Sequence, residues 1–206
     1  MQINNWISNN YIEIFGAVTG ILYVFLEIRQ NIWLWPVGIA TSAVYIWVFF
    51  TSKFYADMSL QGYYLVISVL GWYWWLRGTN GGGGDGEIGR KSESERLKVT
   101  RINVKTTLIL AAVFIALLSV MYLVLARLTD SPVPGWDAFI TSLSIIATWM
   151  LARKIYEHWY LWLIVNTVSA ILFFARGLYP TFILYVVYGV MSFSGLRVWK
   201  KDIVSK

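Results

Sequence analysis

Seven apolar stretches, separated by polar connections, constrain the fold of this chain more than any other feature. Each is close to the length of about 20 helical residues that a hydrocarbon layer requires. They are longer than the alternating segments of about 10 residues that are typical of barrel strands, so helices are indicated. The sequence predicts transmembrane helices near residues 11–28, 32–50, 57–76, 105–125, 137–152, 159–175 and 181–199.

The composition agrees with this interpretation. Hydrophobic residues make up 58% of the chain and charged residues only 14%, whereas charged residues are about a quarter of a soluble domain. The predicted fold class is therefore an all-α integral membrane protein. The first stretch lacks a basic leader and an Ala-x-Ala-like cleavage site, so we expect a permanent helix rather than a removable signal peptide.

Lysine and arginine are distributed unevenly between the two sides of the predicted membrane. The connections on one side carry Lys53, Arg127 and Arg176, and the other side carries the remaining fourteen of the seventeen. Because cytoplasmic connections carry the excess of basic residues, we expect the amino terminus outside and the carboxyl terminus in the cytoplasm. The net charge of +6 is then a sign of topology, and nucleic-acid binding is not expected.

A three-helix pattern occurs twice in the sequence, at residues 35–75 and 162–199, and polar as well as apolar positions match. Repeated units of this kind are typical of transporters, and one extra helix between them predicts a three-plus-one-plus-three parallel repeat. The alignment needs a gap of about three residues in the loop after the second helix. The matched pairs include Trp35 with Trp162, Ser42 with Ser169, Tyr64 with Tyr188, Ser68 with Ser192, Gly71 with Gly195 and Trp75 with Trp199.

The predicted domain organisation follows from this duplication. Residues 1–76 form the first three-helix repeat, 77–104 a linker, 105–125 a spacer helix and 137–199 the second repeat. The linker is polar and rich in glycine, which predicts a flexible cytoplasmic connection. It contains a G-x-G-x-x-G pattern at Gly81, Gly83 and Gly86, but no strand precedes it, so dinucleotide binding is not indicated.

Polar and aromatic residues recur at steps of three, four and seven along the third, sixth and seventh helices, so each set shares one helix face. A buried amide without a partner is costly in hydrocarbon, so these faces contact protein or water. For a single Ser or Thr, helix packing is the simpler interpretation. For Gln61 and Asn166 we favour a role in substrate binding, because each side chain is a large amide that shares a helix face with aromatic residues. The predicted substrate site comprises Trp35, Gln61, Tyr64, Ser68, Trp162, Asn166, Ser169, Tyr188 and Ser192.

Four motifs carry a family resemblance. They are NIWLWPVGI at 31–39, YADMSLQ at 55–61, GWYWW at 71–75 and WYLWLIVN at 159–166. Together they resemble the motifs of the PnuC family of bacterial vitamin transporters, and the likeness covers nearly the whole chain apart from the glycine-rich linker. The resemblance implies a seven-helix inner-membrane protein with a plan similar to that of a sugar facilitator of the SWEET type.

The same resemblance implies a function. Members of such a family move nicotinamide riboside, or in sister branches thiamine or riboflavin, down a gradient, and phosphorylation by a cytoplasmic vitamin kinase traps the product. It implies that Trp162 and Asn166 belong to the binding motif of the sixth helix and Gln61 to that of the third. The expected partners are the vitamin and the lipid bilayer, with a homo-oligomer left open. The amino-terminal stretch is more similar to the thiamine branch, and the choice of vitamin stays open.

Two carboxylates on the first helix allow two interpretations. Glu13 and Glu27 lie fourteen residues apart near the helix ends, and about four turns bring them back to one face. Solvated helix-end carboxylates are the simpler expectation. Attraction of a cationic vitamin is the alternative.

A membrane-embedded enzyme and a non-transporting sensor are the other classes to consider. The chain has no cysteine, which removes thiol catalysis and cysteine-ligated metal sites. Its one histidine, His158, and the neighbouring Trp159 are expected at a helix end in the membrane interface. We therefore expect no enzyme activity, no cofactor and no metal. The duplication argues against a sensor.

Overall fold

The computed structural model describes residues 11–51, 55–77, 97–129 and 132–203. These residues form seven α-helices, and the predicted all-α fold is confirmed. The helix ends differ from the predicted ones by at most three residues. The helices are α1 (Tyr11–Ile28), α2 (Leu34–Thr51), α3 (Tyr55–Arg77), α4 (Val104–Leu128), α5 (Pro134–Ala152), α6 (His158–Ala175) and α7 (Tyr179–Lys201). Most of the predicted glycine-rich linker lies outside the described residues.

Within the described residues, five helices are long and apolar enough to cross a membrane by length and composition, namely α2, α4, α5, α6 and α7. Helix α1 contributes a shorter apolar stretch, Ile14–Ile28. Helix α3 is more polar, because it carries Asp57 in its first turn and Arg77 in its last, with Gln61 between them. The helices that carry the candidate site are therefore not uniformly apolar.

The chain divides into two compact units, Met1–Tyr73 and Trp74–Lys206. In the first unit, α1 packs against α2. In the second, α4 packs on α5, α5 on α6 and α6 on α7. The predicted domain boundaries and the parallel relation of the two repeats stay predictions.

The spacing between equivalent helices corrects the predicted register of the repeat. Helices α2 and α6 begin and end 124 positions apart, and so do α3 and α7. The contacts inside each unit agree, because Trp35 covers Gly71 in the first unit and Trp159 covers Gly195 in the second. Trp35 therefore corresponds to Trp159, and the predicted gap is wrong. Trp162 lies one helical turn after Trp159 on a similar face, so sequence identity alone favoured the wrong partner.

An aromatic cluster closes one end of the second unit. His158, Trp159 and Trp199 are each 0% exposed. The imidazole centroid lies 4.7 Å from the centroid of each indole, and its Nδ1 is 2.7 Å from the carbonyl oxygen of Ile155. His158 and Trp159 lie at the start of α6, as expected, but neither is an ordinary surface residue there, because both rings belong to the core between α6 and α7.

The segment that precedes α4 is attached to the loop between α5 and α6. Thr100 donates its amide to the carbonyl of Lys154 at 3.0 Å and accepts from the amide of Tyr156 at 2.9 Å. The amide of Ile102 donates to Oε2 of Glu157 at 2.9 Å. Burial, with a hydrogen bond to Tyr160, raises the pKa of Tyr156 to about 12. We call residues 97–103 the docked segment.

The same loop contacts the end of α3. The Arg153 guanidinium lies 4.6 Å from the ring centroid of Trp74, and the Lys154 ammonium lies 4.3 Å from that of Trp75. Cation–π contacts of this kind contribute about 0.5–2 kcal/mol, depending on exposure. Lys154 is also held at a φ of +51°, a left-handed conformation that is uncommon for residues other than glycine. The loop is therefore fixed by contacts on both sides.

Candidate substrate site

In the second unit, the candidate site begins with a hydrogen bond between two helices. The Asn166 amide on α6 donates through Nδ2 to Oγ of Ser192 on α7 at 3.1 Å. The Ser192 hydroxyl donates in turn to the carbonyl oxygen of Tyr188 at 2.8 Å. Asn166 is 6% exposed and Ser192 is 2% exposed. Because an amide offers two N–H donors and an acceptor, this bond leaves further hydrogen-bonding capacity on Asn166.

An aromatic wall adjoins this pair. Tyr185 forms a side-chain hydrogen bond with Ser169, which is buried on α6. The Phe173 ring stacks on the Tyr185 ring with centroids 5.2 Å apart, and the Tyr188 ring meets Tyr185 edge-on at 5.8 Å. Four predicted residues, Asn166, Ser169, Tyr188 and Ser192, are thus linked through direct contacts. Tyr185 is missing from the predicted site, although it shares the polar face of α7 at helical spacing from Tyr188.

Trp162 lies one turn before Asn166 on α6, so its indole is on the same face as the amide. The side chain is half-buried, and its Nε1 is buried without a hydrogen-bond partner among the described residues. A buried donor without an acceptor costs about 1–3 kcal/mol. An acceptor oxygen or nitrogen on a bound molecule would recover that cost.

In the first unit, three helices meet at Gly38. A methyl group at this glycine of α2 would lie 2.9 Å from Oγ of Ser68 on α3 and 3.1 Å from Cε2 of Tyr23 on α1. Ser68 is 3% exposed, so its hydroxyl is held between helices. The absence of a side chain at position 38 is what allows Tyr23 and Ser68 to approach each other.

Glu27 differs from the simpler expectation for it. The side chain is only 2% exposed, so the interpretation as a solvated helix-end carboxylate is wrong. It lies one turn after Tyr23 on α1, on the same helix face. The side chain of Glu13 lies outside the described part.

The other predicted residues of the first unit occupy different environments. Trp35 is 0% exposed and its ring covers Gly71. This environment is typical of a residue that packs helices together. Gln61 and Tyr64 are half-buried, and the Tyr64 ring meets that of Tyr63 edge-on with centroids 5.5 Å apart. Substrate contacts of all three stay predictions.

Comparison with known proteins places nearly the whole chain in one family. The family model described as nicotinamide mononucleotide transporter matches residues 10–201. The chain is 27% identical over 203 residues to the nicotinamide riboside transporter PnuC of Escherichia coli (strain K12), covering 92% of this chain and 85% of that protein. It is 26% identical over 205 residues to the riboflavin/roseoflavin transporter RibM of Streptomyces davaonensis, covering 95% and 92%.

A solved structure agrees with this placement. The crystal structure of the vitamin B3 transporter PnuC superposes with a TM-score of 0.70 at 25% sequence identity, covering 97% of this chain and 84% of that chain. The family match spans all seven helices. The chain belongs to the PnuC family of multi-pass membrane transporters.

Proposed function

We propose that this protein mediates uptake of a vitamin with a cationic aromatic ring, nicotinamide riboside or thiamine, across the bacterial inner membrane. The observation that carries the proposal is the polar and aromatic surface formed by α6 and α7. It combines the Asn166–Ser192 pair with the unsatisfied indole donor of Trp162. Membership of a transporter family supports the same conclusion.

The chemistry of the two vitamins suits these groups. Each joins a cationic ring to hydroxyl or amine groups, and sites for such molecules combine apolar and aromatic walls with a few placed polar groups. A ring cation is attracted to the face of an indole by up to about 2 kcal/mol when desolvated. Trp162 supplies the aromatic face, and Asn166 supplies an amide that matches hydroxyl or amine partners.

The proposed mode of transport is facilitated diffusion with trapping by phosphorylation. The sequence contains no Walker nucleotide loop, and no Asp, Glu, Lys, Arg or His lies in the middle of α2, α3, α6 or α7, where a proton relay is expected. A cytoplasmic vitamin kinase would keep the internal concentration of free vitamin low. The excess of basic residues in alternate connections supports an outside amino terminus and a cytoplasmic carboxyl terminus.

Riboflavin is the second candidate substrate. The RibM relative covers 95% of this chain at 26% identity, which is nearly the same likeness as that of the nicotinamide riboside transporter. Riboflavin has a larger, neutral ring system. A direct comparison of the three vitamins is therefore required.

The binding test uses the full chain purified in detergent. Tryptophan fluorescence is titrated with nicotinamide riboside, thiamine and riboflavin, for the wild type and for Trp162→Ala. The matched control is Trp47→Ala on α2, since Trp47 is 68% exposed. We expect saturable quenching by one vitamin that is lost in Trp162→Ala and kept in Trp47→Ala. Absence of saturable quenching by all three vitamins would contradict the assignment.

The transport test uses sealed liposomes loaded with unlabelled vitamin. Counterflow of labelled vitamin without any ion gradient is the expected result. Binding without counterflow would indicate the sensor alternative, and uphill accumulation of unmodified vitamin on a proton or sodium gradient would overturn facilitated diffusion. In cells, deletion of the vitamin kinase should abolish accumulation while leaving counterflow in liposomes unchanged.

A further inference from the structure

Glu27 is a buried carboxylate near the end of a helix that is otherwise strongly apolar. Its side chain is 2% exposed. Burial of an ionised carboxylate is costly unless other groups compensate. An acidic residue in such a segment therefore suggests a functional role.

The surroundings of Glu27 are aromatic and polar. Tyr23 lies one turn earlier on α1, so the two side chains share one helix face. Tyr23 also approaches Ser68 at Gly38, as described above. The carboxyl group thus lies one helical turn from a tyrosine that packs near Ser68, a residue of the predicted substrate site.

The second unit shows that the fold does not require a carboxylate at this position. The residue 124 positions after Glu27 is Leu151, which is 0% exposed. The residue equivalent to Tyr23 is Ala147, also 0% exposed, and the residue equivalent to Gly38 is Trp162. The first unit therefore carries its large aromatic residue, Tyr23, on its first helix. The second unit carries its large aromatic residue, Trp162, on its second helix. The equivalent helix of the second unit therefore has a buried leucine where the first unit has a buried glutamate.

We infer that Glu27 is the counter-charge that makes transport selective for a cationic ring over a neutral ring of the same shape. This inference rests on the proposed function and deepens it by assigning the charge preference to one side chain. In a site of low dielectric constant, a carboxylate attracts a ring cation and gives a neutral ring no comparable gain. A preference of about tenfold or more is expected, since tenfold corresponds to about 1.4 kcal/mol.

The test compares ligands that differ in ring charge. Nicotinamide riboside and its reduced dihydro form share the ribose and the carboxamide, and only the oxidised ring is cationic. Thiamine and its deaza analogue, in which a neutral thiophene replaces the thiazolium, form a second pair. Dissociation constants of the full chain in detergent are measured for both pairs with the wild type and Glu27→Gln. The control variant is Asp57→Asn, because Asp57 is an exposed carboxylate in the same unit.

We expect the wild type and Asp57→Asn to prefer the cationic member of one pair by about tenfold or more. Glu27→Gln should bind that cation about tenfold more weakly and the neutral analogue with unchanged affinity. Equal weakening of both ligands, or an unchanged preference, would overturn the inference. Preference of the wild type for riboflavin, with no binding of either cation, would overturn it while leaving vitamin transport intact. Absence of all vitamin binding by the folded wild type would instead refute the proposed function.

A second variant keeps the test decisive if Glu27→Gln does not fold. Glu27→Leu places at this position the residue that the second unit carries there. If either variant elutes as a monodisperse protein, its preference between the ligands decides the matter. If both lose the folded peak while Asp57→Asn keeps it, Glu27 is a structural group and the inference is wrong.

Discussion

The Asn166 side chain donates to the Ser192 hydroxyl across 3.1 Å and thereby joins α6 to α7 inside the second unit. The bond fixes the orientation of an amide that sits one turn from Trp162. Ser192 itself donates to the backbone of its own helix, so the amide has a partner that cannot rotate freely. A preorganised amide of this kind binds a ligand without paying for its own ordering.

Replacement of Asn166 by alanine should therefore affect binding more than stability. We expect vitamin affinity in Asn166→Ala to fall by about tenfold or more, since a polar ligand group loses its partner. The free energy of unfolding should fall by only about 1 kcal/mol, because Ser192 keeps its bond to the Tyr188 carbonyl. Titration of tryptophan fluorescence and thermal unfolding measure the two quantities.

Thr167→Ala is the matched control for this change, because Thr167 is the next residue on α6 and is exposed. It should leave both quantities unchanged. If Asn166→Ala unfolds at a lower temperature but binds the vitamin with wild-type affinity, the amide is only a helix-packing group.

The two tryptophan–glycine contacts should be sensitive to a single methyl group. In Gly195→Ala the new methyl would overlap the Trp159 ring, and in Gly71→Ala it would overlap the Trp35 ring. Overpacking of this kind costs about 1–3 kcal/mol. We expect each variant to unfold at a lower temperature in detergent.

Each helix offers its own control for these variants. A methyl group at Gly189 on α7 or at Gly62 on α3 would meet no atom within 4 Å. Gly189→Ala and Gly62→Ala should unfold at the wild-type temperature or above it, because alanine favours the helix by about 1 kcal/mol. Equal melting temperatures within either pair would contradict the described packing.

Sequence patterns predicted the helix positions well, because the position of each helix depends on residues that are close together in the sequence. Apolar stretches and their polar ends are visible in the sequence, and all seven helices lie within three residues of the predicted positions. The polar stripes likewise brought Asn166, Ser169, Tyr188 and Ser192 to one region of the second unit. Helical spacing was sufficient to find them.

The register of the repeat and the state of Glu27 depend on contacts between helices, which spacing along one helix does not encode. The pairing of Trp35 with Trp162 follows sequence identity, whereas the structure places Trp159 opposite Gly195. The prediction for Glu27 followed the general expectation that a carboxylate at a helix end is solvated, yet its side chain is buried. Neither the register of the repeat nor the burial of Glu27 can be predicted without knowing how one helix packs on another.

His158 should matter for stability and not for transport. In His158→Phe the ring keeps its place near Trp159 and Trp199 but loses the short contact between Nδ1 and the Ile155 carbonyl. We expect the free energy of unfolding to fall by about 1 kcal/mol. Counterflow in liposomes should stay within about twofold of the wild type, because the ring is placed in the core and not in the candidate site. A larger loss in a variant that keeps its fold would show that His158 takes part in transport.

Glu157 should hold the docked segment, since its Oε2 accepts from the Ile102 amide at 2.9 Å. A hydrogen bond to a charged group contributes about 1.5–3 kcal/mol. We expect hydrogen exchange at residues 97–103 to accelerate by about tenfold or more in Glu157→Ala. Glu157→Gln, which keeps an acceptor oxygen, should show a smaller effect, and Asp202→Ala, at an exposed position after α7, none. Unchanged protection of the segment in Glu157→Ala would show that the backbone bonds of Thr100 suffice to hold it.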